Sequence, residues 1–305
     1  MDSDLYSAFK TAHAGASALE SPDLTAALHA AHAGAEIVLK YWNTPKEYET
    51  KADSHFDLVS FVDQAADSAI HQVLQTLCPA DSILSEEISP DTLVSEGRTW
   101  IVDPLDGTSS YLFKTDPSAP SVMIALMVNG ACSVSVVCQP MLNRWTYAVA
   151  KKGTFQCQAN EAPERMLIPN GPKLSTAWID MNHYGGIEFE SSLFRRIDTV
   201  VRSNGGARLV SRSVPHSAIA LRLLVSHSLL SDSTPVLGAC VHDHNPLKPK
   251  QLPWDIVPIQ LIVQEAGGVY LDIARGAIVD PFALSGPILV ASSSLADEIR
   301  SRIIK

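Results

Sequence analysis

The chain has 305 residues, of which 46% are hydrophobic and 18% charged, and its formal net charge is -10. This length suits one large domain or two medium ones, and the composition is typical of a globular rather than a disordered protein. The acidic balance disfavours nucleic acid polymers and anionic membrane surfaces as partners. The five cysteines are scattered without a C-x-x-C pair, which favours a reducing compartment over a disulfide framework.

Neither a targeting segment nor a membrane span is predicted. Asp2 and Asp4 stand where a signal peptide would have basic residues. The longest apolar run, 121–138, is interrupted by Asn129-Gly130, which is typical of a hairpin turn and not of a membrane helix. We therefore expect a soluble, cytoplasmic protein.

The first half of the chain predicts helices followed by strands. We interpret residues 1–23 as a helical or frayed N-terminal extension. Ser21 and Pro22 then begin a helix in which apolar residues recur every three or four positions as far as Trp42. Asp63 stands at the start of a second helix, where a carboxylate interacts favourably with the helix dipole. Strands are predicted at 83–84, 100–102, 121–128, 131–138 and 145–150.

The second half alternates strands and helices after a stretch rich in Pro, Asn and Gly at 161–172. Because strands outnumber those of a doubly wound sheet, the pattern predicts a layered α+β fold. We expect an α+β subdomain at 24–165 that carries most of the candidate site, and an α/β subdomain at 166–305 that completes it. Strands are predicted at 176–181, 208–212, 236–241, 269–273 and 288–291, and helices at 189–201, 216–227, 253–267 and 295–304.

The stretch Trp100-Ile-Val-Asp-Pro-Leu-Asp-Gly-Thr108 combines an apolar strand with two acids. The strand is expected to stop at Asp103, because the proline that follows has no N–H for a ladder. Asp106 lies three residues further along, on a tight turn. Gly107 permits a close approach there, and Thr108 is placed to begin a helix. Two carboxylates beside free N–H groups can hold a hard cation and a phosphate, although the turn could also be only a helix cap.

Three further acids lie at the ends of predicted elements. Asp63 and Asp255 stand at helix starts, and Glu86 follows a strand. Together with Asp103 and Asp106 they could hold two or three Mg²⁺ ions, because each ion keeps several waters. Two ions about 3.5–4 Å apart would clamp the attacking and leaving oxygens of a phosphoryl displacement. The sequence therefore indicates phosphate chemistry, with the Thr108 hydroxyl available to orient a water.

Four motifs follow one another along the chain. They are D-L-V-S-x-x-D at 57–63, the acidic pair at 86–87, I-V-D-P-L-D-G-T at 101–108, and W-D-I-x-P followed by E-A-G-G-V at 254–269. In this order and spacing they resemble the inositol monophosphatase family, the Mg²⁺-dependent, lithium-sensitive phosphatases, over about residues 24–305. The resemblance implies an αβαβα sandwich of the inositol monophosphatase and fructose-1,6-bisphosphatase type. It also implies a homodimer that hydrolyses a small phosphomonoester with metal-activated water.

The resemblance further implies roles for individual residues. The ligands of two or three Mg²⁺ ions would be Asp63, Glu86, Asp103, Asp106, Asp255 and the Leu105 carbonyl. The catalytic residues that serve the nucleophilic water would be Asp63, Glu86 and Thr108. The substrate would contact Asp106, Gly107, Thr108, Ser109, His216, Ser217, His242 and Asp255.

Three positions depart from the family pattern. Ser85 stands where a glycine usually precedes the glutamate pair, and His216 stands within a step of small residues that contacts substrate. After the strand near residue 241, His242 or Asp243 replaces a glutamate that binds inositol hydroxyls. Inositol monophosphate is the first substrate prediction. The alternatives are a 3′(2′),5′-bisphosphate nucleotide, fructose 1,6-bisphosphate and histidinol phosphate.

Other functional classes fit less well. Phosphatases of the haloacid-dehalogenase type also show Asp…Asp-Gly-Thr, but their two acids lie two residues apart and one of them becomes phosphorylated. A metal-binding pseudoenzyme would lack a ligand or Thr108. A zinc centre built on His242 and His244 would have a spacing that suits neither a zinc finger nor a helical pair.

Overall fold

The computed structural model describes residues 2–44, 47–50, 58–91, 96–158, 161–168, 170–183, 192–212, 218, 220–221, 223–224, 237–243, 253–284 and 286–303. The chain divides into two compact units, Met1–Arg165 with Trp254–Glu265, and Met166–Pro253 with Ala266–Lys305. The helices are α1 (Asp2–Ala18), α2 (Pro22–Tyr41), α3 (Phe61–Leu77), α4 (Thr108–Phe113), α5 (Ser192–Ser203), α6 (Pro253–Glu265) and α7 (Ser293–Ile303).

Fifteen strands are described. In the first half of the chain they are β1 (Tyr48–Thr50), β2 (Leu58–Ser60), β3 (Ser82–Ser85), β4 (Arg98–Asp106), β5 (Ser121–Val128), β6 (Ala131–Gln139), β7 (Arg144–Val149), β8 (Gly153–Gln158) and β9 (Glu164–Met166). In the second half they are β10 (Trp178–His183), β11 (Ala207–Arg212), β12 (Leu237–His242), β13 (Gly268–Asp272), β14 (Ala277–Ile278) and β15 (Ile288–Ser292).

The first unit is built on a seven-stranded sheet in the order β3-β4-β5-β6-β7-β8-β9. Only the β3–β4 pair is described as parallel, and the pairs from β4 to β8 are antiparallel. The β5–β6 hairpin closes on Asn129 and Gly130, which have φ angles of 49° and 80°. Positive φ at both turn residues matches the right-handed twist of the strands, so the predicted hairpin is confirmed.

The N-terminal segment is helical, which is one of the two predicted alternatives, but α1 packs into the core instead of extending from it. Leu5, Phe9 and Ala16 of α1 are buried in the same core as α2, α3 and the sheet. The small residues that made the segment look featureless, such as Ala8 and Ala12, are fully buried. Alanine allows helices to pack closely, so an Ala-rich pattern with few large apolar residues can still form a core face.

Helix α6 belongs to the first unit, whereas the sequence analysis placed all of 166–305 in the second. Two buried hydroxyls of the seven-stranded sheet donate to backbone carbonyls of α6. The Oγ of Ser135 lies 2.6 Å from the Pro258 oxygen, and the Oγ1 of Thr154 lies 2.6 Å from the Ile262 oxygen. These long-range contacts leave no trace in local periodicity, and therefore the linear boundary was wrong for this helix.

The start of β4 is held by a charged cluster beneath α2. Arg98 donates from Nε to Asp81 at 2.9 and 3.1 Å, and from its terminal nitrogens to Asp23 at 2.7 and 3.2 Å. The indole Nε1 of Trp100 also donates to Asp81, at 2.9 Å. Asp81 therefore ties the start of β4 to the segment that leads into β3.

Replacing Asp81 by alanine is expected to destabilise the protein by about 2 kcal/mol, because the fully buried Trp100 would lose the acceptor of its Nε1–H. Asp81→Asn keeps an acceptor for the indole and should lose less. Urea unfolding monitored by tryptophan fluorescence measures both free energies of unfolding. Equal losses for the two variants would contradict the role given to the indole hydrogen bond.

The second unit contains a six-stranded sheet in the order β11-β10-β12-β15-β13-β14. Its core combines strand residues such as Ile179, Val241 and Leu289 with Ile197 of α5 and Leu295 of α7. Within the part of the chain that is described, no helix has the length and hydropathy needed to span a bilayer.

Candidate active site

The turn between β4 and α4 is the structural centre of the site. Strand β4 does not stop at Asp103 as predicted but continues to Asp106. Its register with β5 shifts between these two acids, since Asp103 pairs with Met123 and Asp106 with Ser121. This is a β-bulge, and a proline is tolerated there because the extra residue makes no ladder hydrogen bond. The prediction that the strand ends at Asp103 is therefore wrong.

Gly107 and Thr108 complete the turn. Gly107 has a φ of 85°, a left-handed conformation that disfavours a side chain, and Thr108 is the first residue of α4. The Asp103 Oδ1 accepts the N–H of Leu105 at 3.0 Å, which fixes the peptide that follows the proline. The prediction that a helix begins at Thr108 is confirmed.

The structure brings three carboxylates together at this turn. Asp103, Asp106 and Asp255 each offer one oxygen, and these oxygens lie within 4.8 Å of one another. Asp103 is 1% exposed, whereas Asp106 and Asp255 are half-buried. Asp255 lies in the first turn of α6, so residues far apart in sequence meet at one point.

Asp255 is positioned by the anchoring of α6 on the sheet. Besides the hydroxyl contacts at Pro258 and Ile262, a third contact lies at the C-terminal end of α6, where Glu265 binds the turn between β7 and β8. Glu265 accepts the N–H groups of Lys151 and Gly153, at 2.7 and 3.0 Å. Fixed at both its middle and its end, α6 presents Asp255 on a rigid element.

Asp63 and Thr108 form a second arrangement at the site. Asp63 completes a capping box at the start of α3, where its Oδ2 accepts the Ser60 N–H at 2.8 Å and the Ser60 hydroxyl at 2.6 Å. Its Oδ1 accepts the Thr108 hydroxyl at 2.8 Å, and the Thr108 Oγ1 also lies 3.1 Å from the Leu105 oxygen. The predicted ligand Asp63 is thus already engaged by three donors.

Two acids of the site, Asp103 and Asp63, have raised pKa values. Burial raises the pKa of Asp103 well above its usual range, and the charges of Glu86, Asp106 and Asp255 add to this effect. Burial also raises the pKa of Asp63, opposed by the hydrogen bonds from Ser60 and Thr108. The charge of Glu86, which is half-buried, contributes to the raised pKa of both Asp103 and Asp63.

These groups fit a hard divalent cation. The donors are carboxylate oxygens, and the fully buried Asp103 sits in a concentration of negative charge that a cation would neutralise. The Leu105 carbonyl oxygen has two lone pairs, so it can serve as a ligand even where the Thr108 hydroxyl donates to it.

The remaining predicted substrate contacts lie partly on this turn and partly elsewhere in the chain. Gly107 and Ser109 lie half-buried on the turn itself. His242 belongs to the second unit, is 2% exposed, and has its Nδ1 2.8 Å from the Nδ2 of Asn182. His216 and Ser217 lie outside the described residues.

Sequence reasoning missed the groups that support the acids. Asp67 and His71 follow Asp63 on α3 at four-residue spacing, and Ser135 and Thr154 anchor α6. The helical spacing of Asp67 and His71 from Asp63 was visible in the sequence. The two hydroxyls lie on strands that are more than 100 residues from α6 in sequence, and they gave no comparable indication.

Comparison with known proteins places these features in one family. The family model described as "Inositol monophosphatase family" matches residues 20–304. Nus factor SuhB of Salmonella typhimurium is 31% identical over 266 residues, covering 84% of this chain and 86% of that protein. Histidinol-phosphatase of Mycobacterium tuberculosis is 27% identical over 262 residues, covering 84% and 88%. Inositol monophosphatase of Dictyostelium discoideum is 29% identical over 252 residues, covering 79% and 80%.

Solved structures share the fold. The extragenic suppressor protein suhB of Bartonella henselae superimposes with a TM-score of 0.73 at 20% identity, covering 93% of this chain and 99% of that chain. An IMPase/NADP phosphatase complexed with Mg²⁺ and phosphate gives 0.65 at 20% identity, covering 87% and 88%. A staphylococcal inositol monophosphatase-1 in a lithium-soaked inhibitory complex gives 0.66 at 20% identity, covering 88% and 89%.

These structural likenesses confirm the predicted layered α+β fold. The family match spans nearly the whole chain and includes the acidic turn, the Asp63 helix and the start of α6. The chain therefore belongs to the inositol monophosphatase family of phosphomonoester hydrolases.

Proposed function

We propose that this protein hydrolyses the phosphomonoester of a small metabolite by direct attack of water, with Mg²⁺ as cofactor. The observation that carries the proposal is the grouping of Asp103, Asp106 and Asp255 at one turn, beside the Thr108–Asp63 hydrogen bond. A group of carboxylates is suited to hold a hard divalent cation, and that cation would in turn bind the oxygens of a phosphate ester. The related phosphatase complexed with Mg²⁺ and phosphate supports the same assignment.

Asp103, Asp106, Asp255, Glu86 and the Leu105 carbonyl would hold the metal, with Asp63 beside a further ion. Bound Mg²⁺ supplies Lewis acidity, which neutralises phosphate charge and lowers the pKa of water. Two or three ions are proposed, because each Mg²⁺ retains several waters and needs few carboxylates.

Thr108 would orient the attacking water. The single hydrogen of its hydroxyl is directed to Asp63 or to the Leu105 carbonyl, so the oxygen retains lone pairs for a water proton. Asp63 is in turn fixed by Ser60 at the start of α3. In this pair Thr108 would accept a hydrogen bond from the attacking water, and Asp63 would orient the Thr108 hydroxyl.

The N–H groups that follow Asp106 are proposed to contact the phosphate, and Ser109 to contribute its hydroxyl. Inositol monophosphate is the first candidate substrate. Relatives are named inositol monophosphatase and histidinol-phosphatase, which supports inositol monophosphate and histidinol phosphate as candidates. Fructose 1,6-bisphosphate and the bisphosphate nucleotide are the alternatives. Roles for His216, Ser217 and His242 in specificity stay predictions.

An activity panel tests the proposal. We expect phosphate release from at least one of the four candidate substrates, loss of turnover in EDTA, and recovery on addition of Mg²⁺. Lithium is expected to inhibit, as its soaked complex with the staphylococcal relative suggests. Folded protein that binds Mg²⁺ yet releases no phosphate from any of the four would refute the proposal.

The predicted homodimer and cytoplasmic location stay predictions. Light scattering coupled to size-exclusion chromatography measures the oligomeric state directly. A monomer at micromolar concentration would contradict the dimer.

A further inference from the structure

Helix α3 presents three polar side chains to the catalytic segments from one face. Asp63, Asp67 and His71 are spaced four residues apart, which places them on the same side of the helix. Asp63 accepts the Thr108 hydroxyl, as described above. The other two residues contact the chain on either side of Glu86, and neither belongs to the proposed ligand set.

Asp67 binds the backbone that follows Glu86. Its side chain is fully buried, and its Oδ2 accepts the N–H groups of Glu87 at 3.1 Å and Ile88 at 3.0 Å. A carboxylate that accepts two consecutive N–H groups fixes the direction of the peptides between them. Because Ile88 is 48% exposed, this turn has little apolar packing of its own.

Ser85, the residue directly before Glu86, is held through its side chain. The Nε2 of His71 lies 3.0 Å from the Oγ of Ser85 and 3.5 Å from the Oδ1 of Asp67. The Ser85 oxygen also accepts the Ser89 N–H at 3.3 Å, and the Ser89 hydroxyl donates to the Ile83 oxygen at 2.9 Å. Ser85 is fully buried, so its hydroxyl is satisfied within the protein.

These contacts leave Glu86 between two fixed points. On its N-terminal side Ser85 is bonded to His71, and on its C-terminal side Glu87 is bonded to Asp67. The Glu86 N–H itself donates to the Val102 oxygen at 3.2 Å, one residue before Asp103 on β4. The position of its carboxylate relative to Asp103 therefore depends on the Asp67–His71–Ser85 network.

We propose that Asp67, His71 and Ser85 are positioning residues that hold the Glu86 segment in the geometry required for divalent cation binding. The inference rests on the proposed function, since it assigns Glu86 to a cation. Groups that orient metal ligands without touching the metal contribute about 10–100-fold to affinity or activity. The hydroxyl at position 85 then has a defined purpose, because its removal would release His71 and Ser89 together.

The test is cation binding by the intact protein without substrate. Mn²⁺ titration followed by electron paramagnetic resonance gives its dissociation constant, and competition gives that of Mg²⁺. Ser85→Ala and His71→Phe are each expected to weaken binding about tenfold. The double variant should lose less than the sum of the two single losses, because both single variants already remove the His71–Ser85 contact. His71→Gln retains a nitrogen near the Nε2 position and should recover part of the affinity.

Ser68→Ala is the matched control. It removes a hydroxyl from the same helix, but that hydroxyl is exposed and donates only to the Gln64 carbonyl one turn earlier, at 2.8 Å. Cation affinity should equal that of the parent protein. Melting temperatures in EDTA distinguish positioning from general stability, since a purely structural role would lower them and leave the cation affinity of the folded protein unchanged.

Each outcome is decisive. If the parent protein binds no divalent cation, the proposed function fails before the network is considered. If the parent binds and hydrolyses, but Ser85→Ala matches Ser68→Ala, the positioning role is wrong. Additive losses in the double variant would also overturn it. Should His71→Phe fail to fold, Ser85→Ala decides the question alone, because it deletes one oxygen.

Discussion

Asp103→Asn is expected to abolish turnover while stabilising the cation-free protein. Activity should fall by at least about 10²-fold, since even residues that only orient metal ligands contribute 10–100-fold. Asparagine keeps the size of the side chain and can still accept the Leu105 N–H, so the turn should fold as before. What is lost is one negative charge from the Asp103–Asp106–Asp255 group.

The stabilisation follows from the pKa of Asp103. Burial and neighbouring acids raise this pKa above the unfolded value, so the folded state binds its proton more tightly than the unfolded state. The favourable contribution is present below the unfolded pKa and is lost as pH rises through the folded pKa. At neutral pH, burying Asp103 without a cation therefore lowers the free energy of unfolding, and asparagine removes this destabilisation. In the parent protein a bound cation offsets the destabilisation.

Differential scanning calorimetry in EDTA and in Mg²⁺ measures both effects. The variant should melt above the parent in EDTA and gain less on addition of Mg²⁺. Asp272→Asn is the control, because Asp272 is equally buried and accepts a turn N–H from Arg275 but lies in the second unit. A variant that melts below the parent in EDTA would show that the Asp103 charge is compensated by something other than a cation.

The acidic turn shows what local sequence can establish. The spacing of Asp103 and Asp106, the glycine and the following threonine predicted a tight turn and a helix start, and the structure contains both. The strand end was misplaced because a bulge lets β4 continue past a proline. A proline excludes a ladder hydrogen bond, but it does not exclude a strand whose partner skips that residue.

Long-range contacts explain what local sequence did not establish. Asp255 meets Asp103 because Ser135 and Thr154 hold α6 against the sheet, and these hydroxyls are distant from α6 in sequence. Helix α1 was underestimated for a related reason, since its contact face is mostly alanine. Periodicity reports which side of an element is apolar, but it does not identify the partner.

Thr108→Ala is expected to lower kcat roughly 10²–10⁴-fold while leaving the Mg²⁺ requirement nearly unchanged. The Thr108 hydroxyl lies 2.8 Å from Asp63, and the cation is proposed to be held by the carboxylates of Asp103, Asp106 and Asp255. Removing the hydroxyl should therefore disturb the position of the water more than the binding of the cation. Thr108→Ser retains the hydroxyl and serves as the control, with most of the activity preserved.

The Thr108–Asp63 pair can be tested as one unit by a double-mutant cycle. Asp63→Asn disturbs the acceptor of the Thr108 hydroxyl, so its loss in kcat should overlap with that of Thr108→Ala. The Ser60 cap complicates the single variant, because Asp63 also accepts two hydrogen bonds at the start of α3. Melting temperature therefore needs to be measured beside kcat for each variant. Strictly additive losses in kcat would mean that the two side chains act separately, and that Asp63 serves the reaction by another route than Thr108.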